Sequence, residues 1–272
     1  MLTIDELKNI DHQILKEFED SLNLFPTLIE SEFKYTAEIC FMYMNNSDFI
    51  KDSILDLVER ENYYSINILH RSLIEHFLRF NYFFFNFAIN GKSDKYSNKF
   101  RTSLLFTDKL SIRKSHNSGK RIKNLQSDTL KNIQDEIYTS SADFQQFDLD
   151  ELLKFSNELS IKNIINFIEN HIGKQHYVPN DFLIDTLVRY SKQSSYVHGG
   201  IFSNQELRNF AIKNEENKIK NLTVIYGLSL QTATFIKIYS YIILTEINPE
   251  FFKYYSKITS EIIKMTPNFN WK

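Results

Sequence analysis

Charged side chains interrupt a stretch of sequence that is otherwise suited to burial, HRSLIEHFLRF at residues 70–80. Arg71, Glu75 and Arg79 follow one another at four-residue intervals, so one face of a helix can hold a carboxylate between two guanidinium groups. Buried charges are costly unless they are paired. The spacing therefore predicts either a structural ladder of ion pairs or a binding site.

A second group of reactive residues lies in RYSKQSSYVHGG, residues 189–200. Ser195 and His198 fall near one face of a predicted helix, close to the point where that helix ends. The two glycines that follow either form an ordinary helix cap or let a ligand approach the backbone closely. A serine hydrolase is disfavoured, because the sequence contains no GxSxG elbow.

Several other chemistries are excluded by composition and spacing. Cys40 is the single cysteine, which rules out an internal disulfide and a thiolate metal cluster. The seven histidines, at positions 12, 70, 76, 116, 171, 176 and 198, form no HExxH motif, and neither a P-loop nor a GxGxxG motif is present. We therefore predict that the protein uses no metal and no cofactor.

Glycine and proline are scarce, with 6 and 4 residues among 272. Sandwiches, barrels and doubly wound sheets need these residues at many turns. Apolar residues make up 42% of the chain and include 24 Phe and 15 Tyr, enough material for a packed core. We therefore predict an all-α fold that forms a single domain over residues 1–272.

Capping residues and apolar periodicity place the helices along the chain. Thr3 and Glu6 have the spacing of a capping box, so the first helix should begin near Ile4. Apolar positions at helical spacing predict a central buried helix over residues 53–87. Further helices are predicted over residues 161–172, 181–198, 215–246 and 251–265. The segment RKSHNSGKR, residues 113–121, is predicted to be a mobile loop.

The net charge of −2 conceals two oppositely charged regions. Residues 1–62 carry fourteen acidic and five basic side chains, a balance of −9. Residues 92–131 carry eleven basic and three acidic side chains, a balance of +8. This basic stretch is either a surface for a nucleic-acid phosphate backbone or a solvated face that pairs with the acidic N-terminal region.

Nothing in the sequence indicates secretion or a membrane span. The N-terminal residues MLTIDELKNIDHQ lack the basic and apolar regions of a signal peptide. The two most apolar runs, which begin at Leu73 and Leu222, are both interrupted by charged or polar residues. We therefore expect a cytoplasmic protein with no membrane partner.

The motifs RSLIEH, residues 71–76, and SSYVHGG, residues 194–200, give the chain a family resemblance. It resembles bacterial proteins of the DUF5677 type, which are related to the HEPN superfamily. The resemblance implies a HEPN-like helical bundle over residues 50–247, with additional N- and C-terminal helices and residues 1–47 as an N-terminal helical extension. It also implies a homodimer, a conclusion that the aromatic excess favours.

Many active HEPN-like proteins are metal-independent ribonucleases with an arginine, four to six residues and then a histidine. Arg71 and His76 match this spacing, whereas Arg189 and His198 are separated by eight residues. The resemblance implies that His76 or His198 takes the proton of an RNA 2′-hydroxyl while an arginine stabilises the charged transition state. The predicted catalytic residues are Arg71, Glu75, His76 and His198, and the predicted substrate-binding residues are Arg79, Arg189, Ser195 and Tyr196.

Three functions follow as alternatives. The first is a metal-independent ribonuclease that acts on RNA as a phage-defence or toxin effector, with an antitoxin or another defence protein as partner. The second is a non-catalytic interaction or scaffold subunit of a defence system, in which Arg71, Glu75 and Arg79 are paired and dry. The third is a small-molecule or nucleotide-binding protein that holds an anionic group in a cavity between helices.

Overall fold

The computed structural model describes residues 2–171 and 180–265, and all regular structure within these ranges is helical. The all-α fold class is therefore confirmed for the described residues. The helices are α1 Ile4–Ser21, α2 Phe25–Ile29, α3 Lys34–Glu59, α4 Tyr63–Ile89, α5 Asp94–Ile122, α6 Leu130–Thr139, α7 Ala142–Gln145, α8 Leu149–Glu158, α9 Ile161–His171, α10 Asn180–Val197, α11 Ile201–Ala211, α12 Glu215–Ile247 and α13 Phe252–Met265. None of the helices in these ranges combines the length and the apolar composition that crossing a bilayer requires.

The first helix begins as its capping residues predict. The Glu6 backbone N–H donates to Thr3 Oγ1 at 3.2 Å, and the Thr3 backbone N–H donates to Glu6 Oε2 at 2.7 Å. These two bonds satisfy donors that have no partner within the helix. The prediction of a helix start at Ile4 is confirmed.

Helices α3, α4 and α12 pack against one another at the centre of the fold. α12 is buried on most sides over residues 222–244, and Phe77, Phe80 and Phe83 of α4 are fully buried. The aromatic run at residues 80–87 therefore contributes mainly to the core. Helices α1 and α13 cover one side of α12, and α10 packs along α4.

The predicted helix over residues 53–87 is wrong, because two helices meet within it. α3 ends at Glu59, and α4 begins at Tyr63. Glu61 between them has a φ of +52°, and the Asn62 side chain caps α4 by accepting the Ser65 backbone N–H at 3.2 Å. No glycine or proline marks this break. Because the apolar periodicity continues across it, periodicity alone predicts one continuous helix.

The predicted loop at residues 113–121 is also wrong, because the segment forms the end of α5. Arg113 pairs with Glu136 of α6 at 2.7 Å, and Lys120 pairs with Asp128 at 2.9 Å. The Asn117 side chain bonds both the N–H and the carbonyl of Asp128, each at 2.8 Å. These contacts with the following segment stabilise a helix whose own composition is polar.

Two lysines lie in the core with about 1% of their side chains exposed. Lys237 of α12 contacts Asp48 of α3 at 2.5 Å, and Lys51 contacts both Asp48, at 3.3 Å, and Asp11 of α1. The Tyr226 hydroxyl donates to Asp11 at 2.9 Å. Two ammonium groups thus balance two buried carboxylates, and the cluster joins α1, α3 and α12.

The buried charges shift each other's protonation. Burial alone would raise the pKa of Asp48, but the ammonium groups of Lys237 and Lys51 hold this pKa below its usual value. Burial likewise opposes the charge of Lys51, but the surrounding carboxylates raise its pKa above the usual value. Burial lowers the pKa of Lys237, against the attraction of Asp48.

Replacing Lys237 with methionine should destabilise the fold strongly, because it leaves Asp48 buried with one of its two cations. We expect the free energy of unfolding to fall by about 3 kcal/mol, a typical cost of breaking a buried ion pair. Urea denaturation followed by circular dichroism measures this loss. The control is Lys8→Met, which breaks an exposed pair with Glu59 and should cost less than about 1 kcal/mol. Equal losses in the two variants would contradict the stabilising role of the buried cluster.

Candidate functional site

A cavity of about 430 Å³ opens where the first turns of α4 and α12 meet α10 and α11. We call it the basic cavity, because four cations and a single carboxylate line it. Its lining residues are Tyr63, Asn67, Arg189, Lys192, Gln193, Tyr196, Phe202, Glu206, Lys213, Lys220, Asn221, Val224 and Ile225. Amide groups and aromatic rings thus accompany the positive charge.

The positive charge of the basic cavity is largely uncompensated. Arg189 bonds Asp185, one turn earlier on α10, at 2.7 Å. Lys192, Lys213 and Lys220 make no ion pair with any residue in ranges 2–171 and 180–265. Lysine ammonium groups that converge on a cavity without carboxylate partners attract anions. The basic cavity is therefore suited to an anionic ligand.

Beneath the basic cavity, hydrogen bonds join α4 to α10. Gln193 Nε2 lies 2.6 Å from His70 Nδ1 and donates to Asn67 Oδ1 at 3.3 Å. The Asn67 amide in turn donates to the Tyr63 carbonyl at 2.8 Å. Burial lowers the pKa of His70 to about 3, so the imidazole is neutral and its Nδ1 accepts from Gln193. We call this group the polar seam.

The polar seam leaves one polar atom without a partner. Gln193 is almost fully buried and lines the basic cavity, but its Oε1 has no hydrogen-bond partner among the described residues. Buried polar atoms without partners are rare in folded proteins and call for an explanation. This carbonyl oxygen is an acceptor beside a cavity whose rim is cationic.

Arg71 and Glu75 form an ion pair on the face of α4 that meets α10. Arg71 Nη2 lies 2.9 Å from Glu75 Oε1 and donates to the Tyr190 hydroxyl at 3.2 Å. The same hydroxyl donates to Glu75 Oε1 at 3.3 Å, and the guanidinium carbon stands 5.0 Å from the centre of the Tyr190 ring. The three side chains bond one another, but the buried Nε of Arg71 has no partner among the described residues. Neither Arg71 nor Glu75 lines the basic cavity.

Arg79 does not complete the expected ladder. It makes no ion pair with Glu75 or with any other carboxylate that the structure describes, and its buried Nε has no hydrogen-bond partner there. Its charge lies near His76, where it helps to lower the pKa of the imidazole. Arg79 therefore lies near His76 and α3, and it does not line the basic cavity.

His76 faces α3 and is tied to the backbone of that helix. Its Nε2 donates to the Tyr43 carbonyl at 3.2 Å, and the two rings lie 4.2 Å apart. Burial lowers the pKa of His76 to about 4. Arg189 lines the basic cavity, whereas neither His76 nor His198 does.

The glycines after His198 form a helix cap. Gly199 has a φ of +63°, and the Gly200 N–H donates to the Ser195 carbonyl at 2.8 Å, which closes the end of α10. A Cβ at Gly200 would lie 2.5 Å from Ser195 Oγ, so a larger residue there would displace the Ser195 hydroxyl. Ser195 Oγ accepts the Ser203 N–H at 3.0 Å, which joins α10 to α11. Ser195 thus has a structural partner, whereas His198 is exposed.

Two of the predicted substrate-binding residues, Arg189 and Tyr196, do line the basic cavity. Tyr196 is buried, and its carbonyl accepts the Tyr64 hydroxyl at 2.8 Å. Lys192, Lys213 and Lys220 were not predicted from the sequence to be site residues. The signal for Lys192 was its position one turn from Arg189. Lys213, which follows α11, and Lys220 of α12 come together with it only because α10, α11 and α12 all pack against α4.

The basic stretch at residues 92–131 is partly neutralised by ion pairs. Its paired members are Lys92 with Glu246, Lys99 with Glu151, Arg101 with Glu38, Arg113 with Glu136 and Lys120 with Asp128. Of these partners, Glu38 alone belongs to the acidic N-terminal region.

Within the described ranges, no three or more His, Cys, Asp or Glu side chains are grouped so that they could hold a metal ion.

The neutral, buried state of His70 predicts an acid-sensitive fold. In the unfolded chain a histidine takes a proton near pH 6.5, but His70 in the folded protein does so only near pH 3. Between these values the unfolded state binds more protons, so stability falls as the pH falls, by up to about 1.4 kcal/mol per pH unit for this residue. Urea denaturation at several pH values should give a shallower decline between pH 6 and pH 4 for His70→Gln. An unchanged slope would count against a buried neutral His70.

Comparison with known proteins adds no relative. The chain matches no protein-family model, no curated protein sequence and no solved structure. The case for a function therefore rests on the geometry of the site.

Proposed function

We propose that this protein binds the phosphate groups of a nucleotide ligand, either free or within single-stranded RNA, in the basic cavity. The observation that carries the proposal is the convergence of Arg189, Lys192, Lys213 and Lys220 on one cavity of about 430 Å³ that contains a single carboxylate, Glu206. Arginine and lysine are the usual donors to phosphate oxygens in proteins.

The other walls of the basic cavity favour a nucleotide over a simple inorganic anion. Tyr63 and Phe202 offer aromatic surfaces, and every nucleobase has a flat face that can stack on such a surface. The amide of Asn221 supplies a donor and an acceptor for base edges. Positive charge beside aromatic rings and amides is the usual combination in sites that hold unpaired bases.

Metal-independent RNA cleavage is a second candidate function. The observation in its favour is that His198 is exposed and lies in the sequence two residues after Tyr196 and four before Phe202, both of which line the basic cavity, although His198 itself does not. In this mechanism, His198 takes the proton from a 2′-hydroxyl, and Arg189 stabilises the charge that develops on the phosphate. His76 is less suited to the same role, because its ring is tied to the Tyr43 carbonyl.

The remaining functional expectations stay predictions. A phage-defence or toxin role, a homodimer and an antitoxin or defence-system partner follow from the family resemblance alone. The interaction-module alternative requires Arg71, Glu75 and Arg79 to be paired. Arg71 and Glu75 meet this requirement, but Arg79 does not.

Removing two lysines from the basic cavity should weaken nucleotide binding. We expect Lys192→Ala combined with Lys220→Ala to raise the Kd for ATP and for an oligouridine at least tenfold, because each lost ammonium group removes a charged contact with phosphate. Fluorescence anisotropy at several salt concentrations measures both affinities. The salt dependence for the RNA should fall by about 0.7 in log–log slope for each phosphate contact removed.

The matched control for this experiment is Lys114→Ala combined with Lys131→Ala. Both lysines are exposed and belong to the basic stretch, but neither lines the basic cavity. This control should bind as the unaltered protein does. Equal losses of affinity in the two double variants would contradict a phosphate-binding site confined to the basic cavity and would implicate the basic stretch.

The second candidate function is tested with His198→Ala in buffer that contains a chelator. If His198 is the base, cleavage of a structured RNA should fall at least 100-fold, the usual contribution of a general base. The control is His116→Ala, which removes another exposed histidine, on α5. Cleavage that persists in His198→Ala, or no cleavage by the unaltered protein, would refute this mechanism.

A further inference from the structure

A second cavity, of about 510 Å³, lies near the C-terminal end of α4, where that helix meets α5 and α8. Its lining residues include Asn86, Asn90, Lys95, Tyr96, Lys99 and Lys154. Asn86 of this cavity and Asn67 of the basic cavity are about 28 Å apart along α4, at 1.5 Å per residue. The two cavities share no lining residue, so they are separate sites.

The second cavity contains cations that the fold does not use. Lys95 and Lys154 are exposed and make no ion pair with a residue in the described part of the chain. Lys99 differs, because it pairs with Glu151 at 2.7 Å and lies 5.2 Å from the centre of the Phe155 ring. Two free ammonium groups, on α5 and α8, therefore flank the second cavity.

Acceptor oxygens in the second cavity are free as well. The Asn86 amide nitrogen donates to the Tyr82 carbonyl at 3.0 Å, and the Asn90 amide nitrogen donates to the Asn86 carbonyl at 2.7 Å. These bonds use the nitrogens and leave both side-chain oxygens without a partner among the described residues. The free oxygens lie four residues apart, on one face of α4.

Tyr96, which lines the second cavity, carries a polar atom that the fold leaves unpaired. Its hydroxyl is buried and has no hydrogen-bond partner among the residues that the structure describes. The Tyr96 ring packs edge-on against Phe155, with 5.9 Å between the ring centres. A buried hydroxyl without a partner costs stability unless something else satisfies it. A ligand in the second cavity would supply that partner.

We propose that the second cavity binds a nucleoside phosphate. Lys95 and Lys154 take the phosphate groups, and the base lies against the partly exposed ring of Tyr96. The side-chain oxygen of Asn86 accepts from the N–H groups of the base, and the Tyr96 hydroxyl completes its hydrogen bonding with the ligand. A cavity of about 510 Å³ is within the usual range for ligands of this size.

The experiment is a calorimetric titration of the full chain with ATP, which counts the sites. Four proteins are compared: the unaltered chain, a Lys95→Ala and Lys154→Ala double variant, a Lys192→Ala and Lys220→Ala double variant, and the combination of all four substitutions. All four lysines are exposed, so the variants should fold. We expect two ATP sites in the unaltered chain, one in each double variant and none in the combined variant.

The outcomes separate this proposal from the proposed function. A single site that the Lys95 and Lys154 substitutions abolish would support the second cavity and overturn nucleotide binding in the basic cavity. A single site that survives these substitutions, or the absence of any ATP binding, would overturn the second cavity as a nucleotide site.

Tyr96→Phe adds a readout that a purely structural tyrosine would not give. Removing the unpaired hydroxyl should raise the melting temperature of the ligand-free protein, because a buried unsatisfied group is lost. The same change should weaken ATP binding at this site about two- to tenfold, the value of one neutral hydrogen bond. If Tyr96→Phe raises the melting temperature but leaves the affinity for ATP unchanged, Tyr96 does not belong to the site. If the affinity for ATP at this site is also unchanged in the Lys95 and Lys154 double variant, the proposal is overturned.

Discussion

The hydrogen bonds between α4 and α10 are the constraint on which the basic cavity depends. Gln193 reaches His70 and Asn67 in the core, and this fixes the rotation of α10 about its own axis. With Gln193 turned inward, Arg189 and Tyr196 fall where they line the basic cavity. Because the His70 ring is buried, the seam requires a neutral imidazole that accepts from the amide. A small set of buried polar contacts thus determines where the cationic side chains can meet.

The buried ion cluster plays the corresponding role for α12. Lys237 and Lys51 contact Asp48, and Lys51 also reaches Asp11, so α12 is fixed against α3 and α1. Burying charges carries a large desolvation cost, and two carboxylates with two ammonium groups offset it only in one geometry. That geometry places the first turns of α12, which carry Lys220, beside α10. Neither the seam nor the ion cluster contacts solvent extensively, but together they determine the outline of the basic cavity.

Local signals in the sequence predicted much of the fold. The capping box at Thr3 and the glycines after His198 lie at helix boundaries in the structure, and the helix predicted over residues 215–246 corresponds closely to α12. Signals that depend on tertiary contacts were missed: the polar end of α5 is held by its contacts with the segment that follows it, and the break at Glu61 has no glycine or proline. The residues of the basic cavity show the same difference between local signals and tertiary contacts. Arg189 and Tyr196 belong to one conspicuous motif, whereas Lys213 and Lys220 join them through the packing of α11 and α12.

The most direct test of this account is a crystal structure of the protein grown with ATP. The account predicts that phosphate oxygens lie within hydrogen-bonding distance of Arg189 and of at least one of Lys192 and Lys220, with the base against Tyr63 or Phe202. A structure in which ATP occupies other surfaces and leaves the basic cavity to solvent would contradict it. So would a structure in which the phosphates contact only the basic stretch at residues 92–131.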